Sequence, residues 1–222
     1  MNMIFHDRAD AGRRLGEQLL REDTEGCIVL ALPRGGVPVG YEVARILDAT
    51  LDVVIVRKLG VPGHEELAMG AIASGGIRVL NEEVIRHLPH AREAIESATE
   101  DQMAELRRRE TEYRSGRSPL EIVGKTVVLV DDGLATGATM RAATIAVKER
   151  GASKIFVAVP VGAPDTCDLL SREVDQVICL LTPAFFQAVG QYYADFSQTT
   201  DDEVREYLSR RNSETQSGAR GS

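Results

Sequence analysis

The chain has 222 residues, of which 43% are hydrophobic and 27% charged, and its formal net charge is −8. This composition is ordinary for one globular domain, and the sequence shows neither an apolar run of about 18 residues nor a signal peptide, so we expect a cytoplasmic protein with no membrane partner. The acidic balance argues against a nucleic-acid partner, and we expect the basic residues 107–109 to form a solvated helix face.

The first elements alternate between helix and strand. Apolar residues at helical spacing predict a helix over residues 9–21, and residues 27–32 predict a short buried strand. The strand leads into Pro33-Arg34-Gly35-Gly36 and a helix through residue 47. An Arg at a strand end, on a glycine-freed loop before a helix, suits binding of phosphate oxygens, although a plain turn with a surface Arg fits the residues equally well.

The middle of the chain is less regular. Residues 51–56 predict a third strand that ends at Arg57-Lys58, and the glycine-rich residues 59–71 predict a long mobile loop. Residues 71–73 and 77–80 predict a β-hairpin. Residues 91–114 predict a long charged helix, which we interpret as an insertion that packs on the core or on a second subunit, so a homodimer stays open. We expect no catalytic role for this helix.

Residues 127–139 form the most informative stretch, Val-Val-Leu-Val-Asp-Asp-Gly-Leu-Ala-Thr-Gly-Ala-Thr. A buried strand leads into two acids and a loop of small residues, and helical spacing follows to residue 150. Backbone N–H groups at such a helix start favour a phosphate, and Gly137 lets the backbone close around it. Asp131 and Asp132 would repel a phosphate, so we expect them to face sugar hydroxyls or a magnesium ion.

Two further strands, residues 154–159 and 176–181, flank a helix over residues 165–171. This alternation predicts an α/β fold with a doubly wound parallel sheet, whose ligand crevice lies at the carboxyl ends of the strands. The aromatic-rich residues 182–199 predict either a satellite core or a small hood that stacks on a ring. We expect one domain over residues 1–211, with a helix over residues 200–210, and a disordered tail over residues 212–222.

Residues 127–139 resemble the ribose-phosphate-binding signature of the type I phosphoribosyltransferases, a hydrophobic strand, two acids and a small-residue loop ending in Thr-Gly-x-Thr. The resemblance implies that fold, with a C-terminal hood and the inserted helix as additions. It also implies that the 5-phosphate of phosphoribosyl pyrophosphate binds the loop, and that the acids hold the ribose hydroxyls and Mg²⁺. The implied 5-phosphate residues are Ala135, Thr136, Gly137, Ala138 and Thr139, and the implied metal-binding residues are Asp131 and Asp132.

The resemblance also implies binding residues for the pyrophosphate group and for the acceptor base. It makes the loop at residues 33–36 a pyrophosphate loop with a cis Pro33–Arg34 peptide bond, and it suggests a lid over the site. The implied pyrophosphate residues are Arg34, Gly35, Gly36, Arg57 and Lys58. Hood residues similar to those of 6-oxopurine enzymes make Phe186 the first candidate for stacking on a base and Phe185 a close second, with Asp195 beside them.

The implied function is transfer of a phosphoribosyl group to or from a nucleobase or related nitrogen nucleophile, with Mg²⁺ and release of pyrophosphate. The implied catalytic residues are Asp131, Asp132, Arg34 and Lys58, with Glu65 or Glu66 as the base. Ala135 stands where hypoxanthine and guanine enzymes place an Asp, so the loop is most similar to those of adenine and uracil enzymes. A regulator that senses phosphoribosyl pyrophosphate or nucleotides on the same fold is the alternative.

Overall fold

The computed structural model describes residues 4–218, apart from the side chains of residues 65, 66 and 216–218. Its helices are α1 (Arg8–Leu19), α2 (Gly36–Ile46), α3 (Glu82–Ile85), α4 (Ala91–Arg114), α5 (Ala138–Glu149), α6 (Pro164–Leu170) and α7 (Asp201–Gly218). Its strands are β1 (Ile28–Ala31), β2 (Thr50–Val53), β3 (Val56–Val61), β4 (His64–Ala73), β5 (Ile77–Leu80), β6 (Thr126–Val130), β7 (Lys154–Val161) and β8 (Gln176–Leu181). A 3₁₀ turn spans Val189–Tyr192.

The main sheet is parallel and has the strand order β2-β1-β6-β7-β8. Its central strands are continuous aliphatic runs, because both faces of the sheet are covered. Val29 and alternate residues along the sheet pack with α1, α2, α4 and α7, while Ile28 and its alternates pack with α5 and α6. The predicted doubly wound α/β fold is therefore confirmed.

The strands β1 and β6 are neighbours in this sheet, although they are far apart in the chain. Ala31 is in register with Val130, and the Leu32 N–H donates to the Val130 carbonyl at 2.9 Å. The loops that follow these two strands consequently leave the sheet side by side. This edge is where open parallel sheets bind their ligands.

A second, antiparallel sheet of order β3-β4-β5 occupies residues 56–80. The predicted hairpin is confirmed by the pairing of Ala73 with Ile77. The predicted strand over residues 51–56 is divided between the two sheets, and the prediction of a mobile loop over residues 59–71 is wrong. Apolar residues of β3 and β4, among them Leu59 and Met69, are buried in the main core, and this burial stabilises the strands despite the glycines.

The helix predicted over residues 91–114 is confirmed as α4, and it packs on the core of its own chain. Ile95, Leu106 and Tyr113 are buried against the main core. Near the end of the helix, the Arg114 Nε donates to Asp52 Oδ1 at 2.9 Å, and its Nη2 donates to the Val53 carbonyl at 2.9 Å. This buried ion pair joins α4 to the edge strand β2.

Helix α7 continues to Gly218, so residues 212–218 are helical where the sequence predicts a disordered tail. Polar contacts account for the difference, because the Arg211 Nε donates to the Ala49 carbonyl at 2.9 Å and the Tyr41 hydroxyl donates to Glu214 at 2.8 Å. Residues 219–222 of the predicted tail lie outside the described residues. None of the helices within residues 4–218 combines the length and the apolar character needed to cross a bilayer.

Candidate functional site

Two loops form the centre of the site, one after β1 and one after β6. A Cβ atom added to Gly35 would lie 2.0 Å from Asp132 Oδ2, and one added to Gly36 would lie 2.8 Å from the Val130 carbonyl oxygen. Real Cβ atoms do not approach other atoms so closely, so a side chain at position 36 would clash with the backbone and one at position 35 would displace the Asp132 carboxylate. The predicted pyrophosphate loop therefore packs directly on the two acids.

The peptide bond between Pro33 and Arg34 is cis, as predicted. The Arg34 side chain is 34% exposed, and its Nη1 lies 4.0 Å from Asp201 Oδ2 at the start of α7. Tyr113 of α4 donates its hydroxyl to the other oxygen of Asp201. The guanidinium of Arg34 thus stands at the carboxyl edge of the sheet, between the loop, α4 and α7.

The two acids differ in their surroundings. Burial and the neighbouring Asp132 charge raise the pKa of Asp131 well above its ordinary value. Burial also raises the pKa of Asp132, although the Arg8 charge opposes that increase. The Arg8 Nε donates to Asp132 Oδ2 at 2.9 Å, and its guanidinium stacks 4.0 Å above the Phe196 ring. Arg8 therefore balances one of the two carboxylates.

Arg8 and Tyr193 are site residues that sequence reasoning missed. The Tyr193 hydroxyl donates to the Asp132 backbone carbonyl at 2.6 Å, and Arg8 also donates to the Ser197 carbonyl at 2.6 Å. These bonds join the amino terminus and the hood to the acids. Tyr193 belongs to an aromatic cluster visible in the sequence, whereas Arg8 is an ordinary residue of a helix start and carries no local signal.

The loop predicted to bind the 5-phosphate runs into the amino terminus of α5. Gly137 has φ 74°, a left-handed conformation that favours glycine, and no side chain caps the helix start. The Thr166 hydroxyl of α6 donates to the Ala135 carbonyl at 2.7 Å, and this bond fixes the loop to α6. Ala135, Thr136, Ala138 and Thr139 are exposed, so the first-turn N–H groups and two hydroxyls can reach an anion.

Arg57 and Lys58 line different cavities. As neighbours in β3 they point to opposite faces of the second sheet. Arg57 lines a cavity of about 150 Å³ together with Pro33 of the pyrophosphate loop, while Lys58 lines a larger one of about 600 Å³ between the second sheet and α5. Thr139 borders both cavities. The structure therefore brings Arg57, and not Lys58, to the cavity that borders the predicted pyrophosphate loop.

The hood contains the predicted base-binding residues. Phe186 stacks on Tyr192 with the ring centroids 6.0 Å apart and the planes 9° apart, whereas Phe185 is 92% exposed. Asp195 is exposed and accepts a bond from the Ser197 N–H at 2.9 Å. Neither of the two cavities beside the loops is lined by these three residues. Val189 packs on Gly133, which attaches the hood to the loop of the acids.

The predicted base residues Glu65 and Glu66 belong to β4, next to the turn that follows β3. Their side chains lie outside the described residues. Among the side chains that the structure describes, which exclude those of Glu65 and Glu66, no group of three or more His, Cys, Asp or Glu residues is arranged to hold a metal ion. A cation at Asp131 and Asp132 would therefore take its remaining ligands from water or from a bound substrate, as Mg²⁺ commonly does.

Comparison with known proteins shows which family the chain resembles. A family model described as "Phosphoribosyl transferase domain" matches residues 2–197. A protein of Mycobacterium tuberculosis (strain ATCC 25618 / H37Rv) named "Putative phosphoribosyl transferase Rv0571c" is 49% identical over 209 residues, which are 93% of this chain and 47% of that protein. The chain spans about half the length of the curated relatives it matches.

A solved structure supports the same fold. The crystal structure of TT1426 from Thermus thermophilus superposes with a TM-score of 0.83 at 44% sequence identity. The match covers 93% of this chain and 98% of that chain. The inserted helix and the second sheet therefore lie within a length of chain that the two proteins share almost completely.

Proposed function

The chain belongs to the phosphoribosyl transferase family, and from that premise we propose that it moves the 5-phosphoribosyl group of phosphoribosyl pyrophosphate to or from a nucleobase or related nitrogen nucleophile. The observation that carries the proposal is the contact of Gly35 and Gly36 with the pair Asp131 and Asp132. Through it, the candidate pyrophosphate loop packs against the two acids that lead into the candidate 5-phosphate loop, an arrangement suited to a ligand with a phosphate at each end and a ribose between them.

In the proposed reaction, the bond between ribose C1 and the pyrophosphate oxygen breaks with its electron pair remaining on pyrophosphate. A bond from a ring nitrogen to C1 forms on the other side of an oxocarbenium-like state. Residues 135–139 anchor the 5-phosphate, and Asp131 and Asp132 orient the ribose through its hydroxyls. Arg34 and Arg57 bind the pyrophosphate as it gains charge, which lowers the barrier because these cations interact more strongly with the transition state than with the intact substrate.

Magnesium is the expected cofactor, and the two acids fit it. Adjacent buried carboxylates with raised pKa values repel each other, and a divalent cation relieves that repulsion. Asp131 and Asp132 are the residues that would hold it. When bound, magnesium supplies positive charge that neutralises pyrophosphate oxygens. Arg8 already pairs with one oxygen of Asp132, so a bound cation would stabilise mainly the charge of Asp131.

The acceptor must release a proton if its attacking nitrogen carries one. Glu65 or Glu66 is proposed as the base, and Phe185 with Phe186 and Asp195 as the residues that hold the acceptor ring. Ala135 favours an adenine-type or uracil-type acceptor over hypoxanthine or guanine, since the acidic residue of the latter enzymes is missing there. Lys58, on the other face of the second sheet, is proposed to contact a ligand in the larger cavity.

The test is a panel of nucleobases incubated with the protein, phosphoribosyl pyrophosphate and Mg²⁺, with pyrophosphate release and nucleotide formation as readouts. We expect release that depends on one base or a few related bases, and none without a base. Binding of phosphoribosyl pyrophosphate with no turnover on any base would instead favour the sensing regulator. The absence of binding would refute both functions.

A further inference from the structure

Helix α4 directs three side chains toward the pyrophosphate loop. Gln102, Arg109 and Tyr113 are separated by seven and four residues, so they share one face of the helix. The Gln102 carbonyl accepts a bond from Arg57 Nε at 2.9 Å, and the Tyr113 hydroxyl donates to Asp201, which pairs with Arg34. The helix thus contacts, directly or through Asp201, both guanidinium groups proposed to bind pyrophosphate.

Arg109 itself lines the cavity of about 150 Å³ beside that loop. The cavity is bordered by Pro33 and Thr139 from the two phosphate loops, by Arg57, and by Arg109 and Tyr113 from α4. At roughly 30 Å³ per water molecule, it has room for about five waters or for one phosphate-bearing group. Two guanidinium groups and no carboxylate are among its lining residues, so within the described chain its lining favours an anion.

The neighbouring Arg108 shows what an ordinary surface arginine of this helix does. Its side chain is 58% exposed and pairs with both Glu105 and Glu112. The Arg109 side chain is 31% exposed and pairs with Glu105 through Nε at 2.7 Å. That bond uses Nε, so the other two guanidinium nitrogens, Nη1 and Nη2, take no part in it. The expectation that residues 107–109 form a solvated face therefore does not extend to Arg109.

Tyr113, which also lines this cavity, has a raised pKa. Burial and the bond to Asp201 raise the pKa of Tyr113 to about 12, while the charges of Arg109 and Arg34 act against that increase. Tyr113 is buried and bonded to Asp201, so its position in the wall of the cavity is fixed.

We propose that Arg109 is a substrate-binding residue for the pyrophosphate group of phosphoribosyl pyrophosphate, acting with Arg34 and Arg57, and that α4 forms the wall of this subsite. The inference rests on the proposed function. Pyrophosphate carries several negative charges, and guanidinium groups from three separate elements can surround its oxygens with charge-assisted bonds. The inserted helix then has a direct part in substrate binding in addition to its packing role.

The experiment compares Arg109→Gln with Arg108→Gln, a control one residue away that shares the partner Glu105. Isothermal titration calorimetry with Mg²⁺ measures the affinity of each full-length variant for phosphoribosyl pyrophosphate, inorganic pyrophosphate and ribose 5-phosphate. We expect Arg109→Gln to weaken binding of both pyrophosphate-containing ligands by about 10-fold to 100-fold, and to leave ribose 5-phosphate binding unchanged. Arg109→Lys should lose less, and Arg108→Gln should match the parent.

The outcomes separate this inference from the proposed function. Unchanged pyrophosphate affinity in Arg109→Gln would overturn the inference, and so would an equal loss of ribose 5-phosphate affinity, since that result indicates a structural effect. A parent protein that binds pyrophosphate through Arg109 but transfers to no nucleobase would refute the proposed transfer and keep the inference. A parent that binds no pyrophosphate-containing ligand would refute both.

Discussion

Arg8 contacts a single carboxylate oxygen of Asp132 through two nitrogens, Nε at 2.9 Å and Nη2 at 2.8 Å. The pair joins the first helix to the loop after β6, 124 residues away. It also makes the two consecutive acids unequal, since Asp132 has a cation beside it and Asp131 has a raised pKa caused by burial and by its neighbour. Neutralising Asp131 should therefore change the free energy of unfolding differently from neutralising Asp132.

We expect Asp131→Asn to raise the free energy of unfolding at pH 7 by on the order of 1 kcal/mol, while weakening phosphoribosyl pyrophosphate binding. The native protein holds the Asp131 proton to higher pH than the unfolded chain does. Stability of the parent should therefore fall as pH rises from the ordinary value near 3.8 through the raised native value, and this fall should be smaller in the variant. Urea unfolding across that pH range measures it.

Asp132→Asn is the matched control for this prediction, because it removes the same charge but also leaves Arg8 without its carboxylate partner. Its gain in stability should be smaller than that of Asp131→Asn, or reversed. An equal or larger gain for Asp132→Asn would contradict the assigned role of Arg8.

Gly35→Ala should impair binding of phosphoribosyl pyrophosphate by at least about 10-fold, because the added Cβ displaces the Asp132 carboxylate that lies 2.0 Å from its position. The KM for phosphoribosyl pyrophosphate and calorimetric affinity measure the effect. Gly26→Ala is the control, since Gly26 has φ 65° and open space around its Cβ position, so that change affects backbone strain and not the site. Equal ligand affinity in both variants would contradict the predicted contact.

Thr166→Val should weaken ligand binding at the proposed 5-phosphate site without changing the shape of that site. Valine keeps the volume of threonine but removes the hydroxyl that donates to the Ala135 carbonyl at 2.7 Å. Loss of one such bond corresponds to about 1 kcal/mol, or about fivefold in affinity. Phosphoribosyl pyrophosphate and ribose 5-phosphate should lose the same factor, because both carry the 5-phosphate. Thr111→Val, which removes a similar bond at an exposed position of α4, should change neither affinity.

Phe185→Leu and Phe186→Leu should have different effects if the hood holds the acceptor. Phe185 is 92% exposed and can stack on a ring, so its replacement should raise the acceptor KM by about 5-fold to 10-fold with little change in stability. Phe186 already stacks on Tyr192, so its replacement should lower the melting temperature more than the Phe185 change does. An unchanged acceptor KM in both variants would show that the hood does not bind the acceptor.

The double variant Glu65→Gln, Glu66→Gln tests the proposed base. Loss of a general base should reduce kcat by about 100-fold or more and leave phosphoribosyl pyrophosphate affinity near that of the parent. The control is Glu96→Gln, Glu100→Gln, which removes two exposed carboxylates from α4. Full turnover in the Glu65 and Glu66 variant would mean that the proton leaves by another route.

The sequence by itself determined the parallel sheet and the two glycine-containing loops that follow β1 and β6. Buried strands, glycines and helix starts are local features, and the rules that link them to backbone shape act over a few residues. The same local rules predicted α4 over residues 91–114, and the cis bond at Arg34 followed from family resemblance. They failed for residues 59–71, where glycines suggested a loop but burial of apolar side chains such as Leu59 and Met69 stabilises two paired strands.

Only the tertiary structure decided which distant side chains meet at the site. The Arg8 pair with Asp132, the Tyr193 bond to the same residue, and the separation of Arg57 from Lys58 all depend on elements that pack after folding. The position of Arg109 beside the cavity that Pro33 also lines depends on the rotation of α4 about its axis. Contacts between residues far apart in the chain leave no local periodicity, because they arise from packing of whole elements.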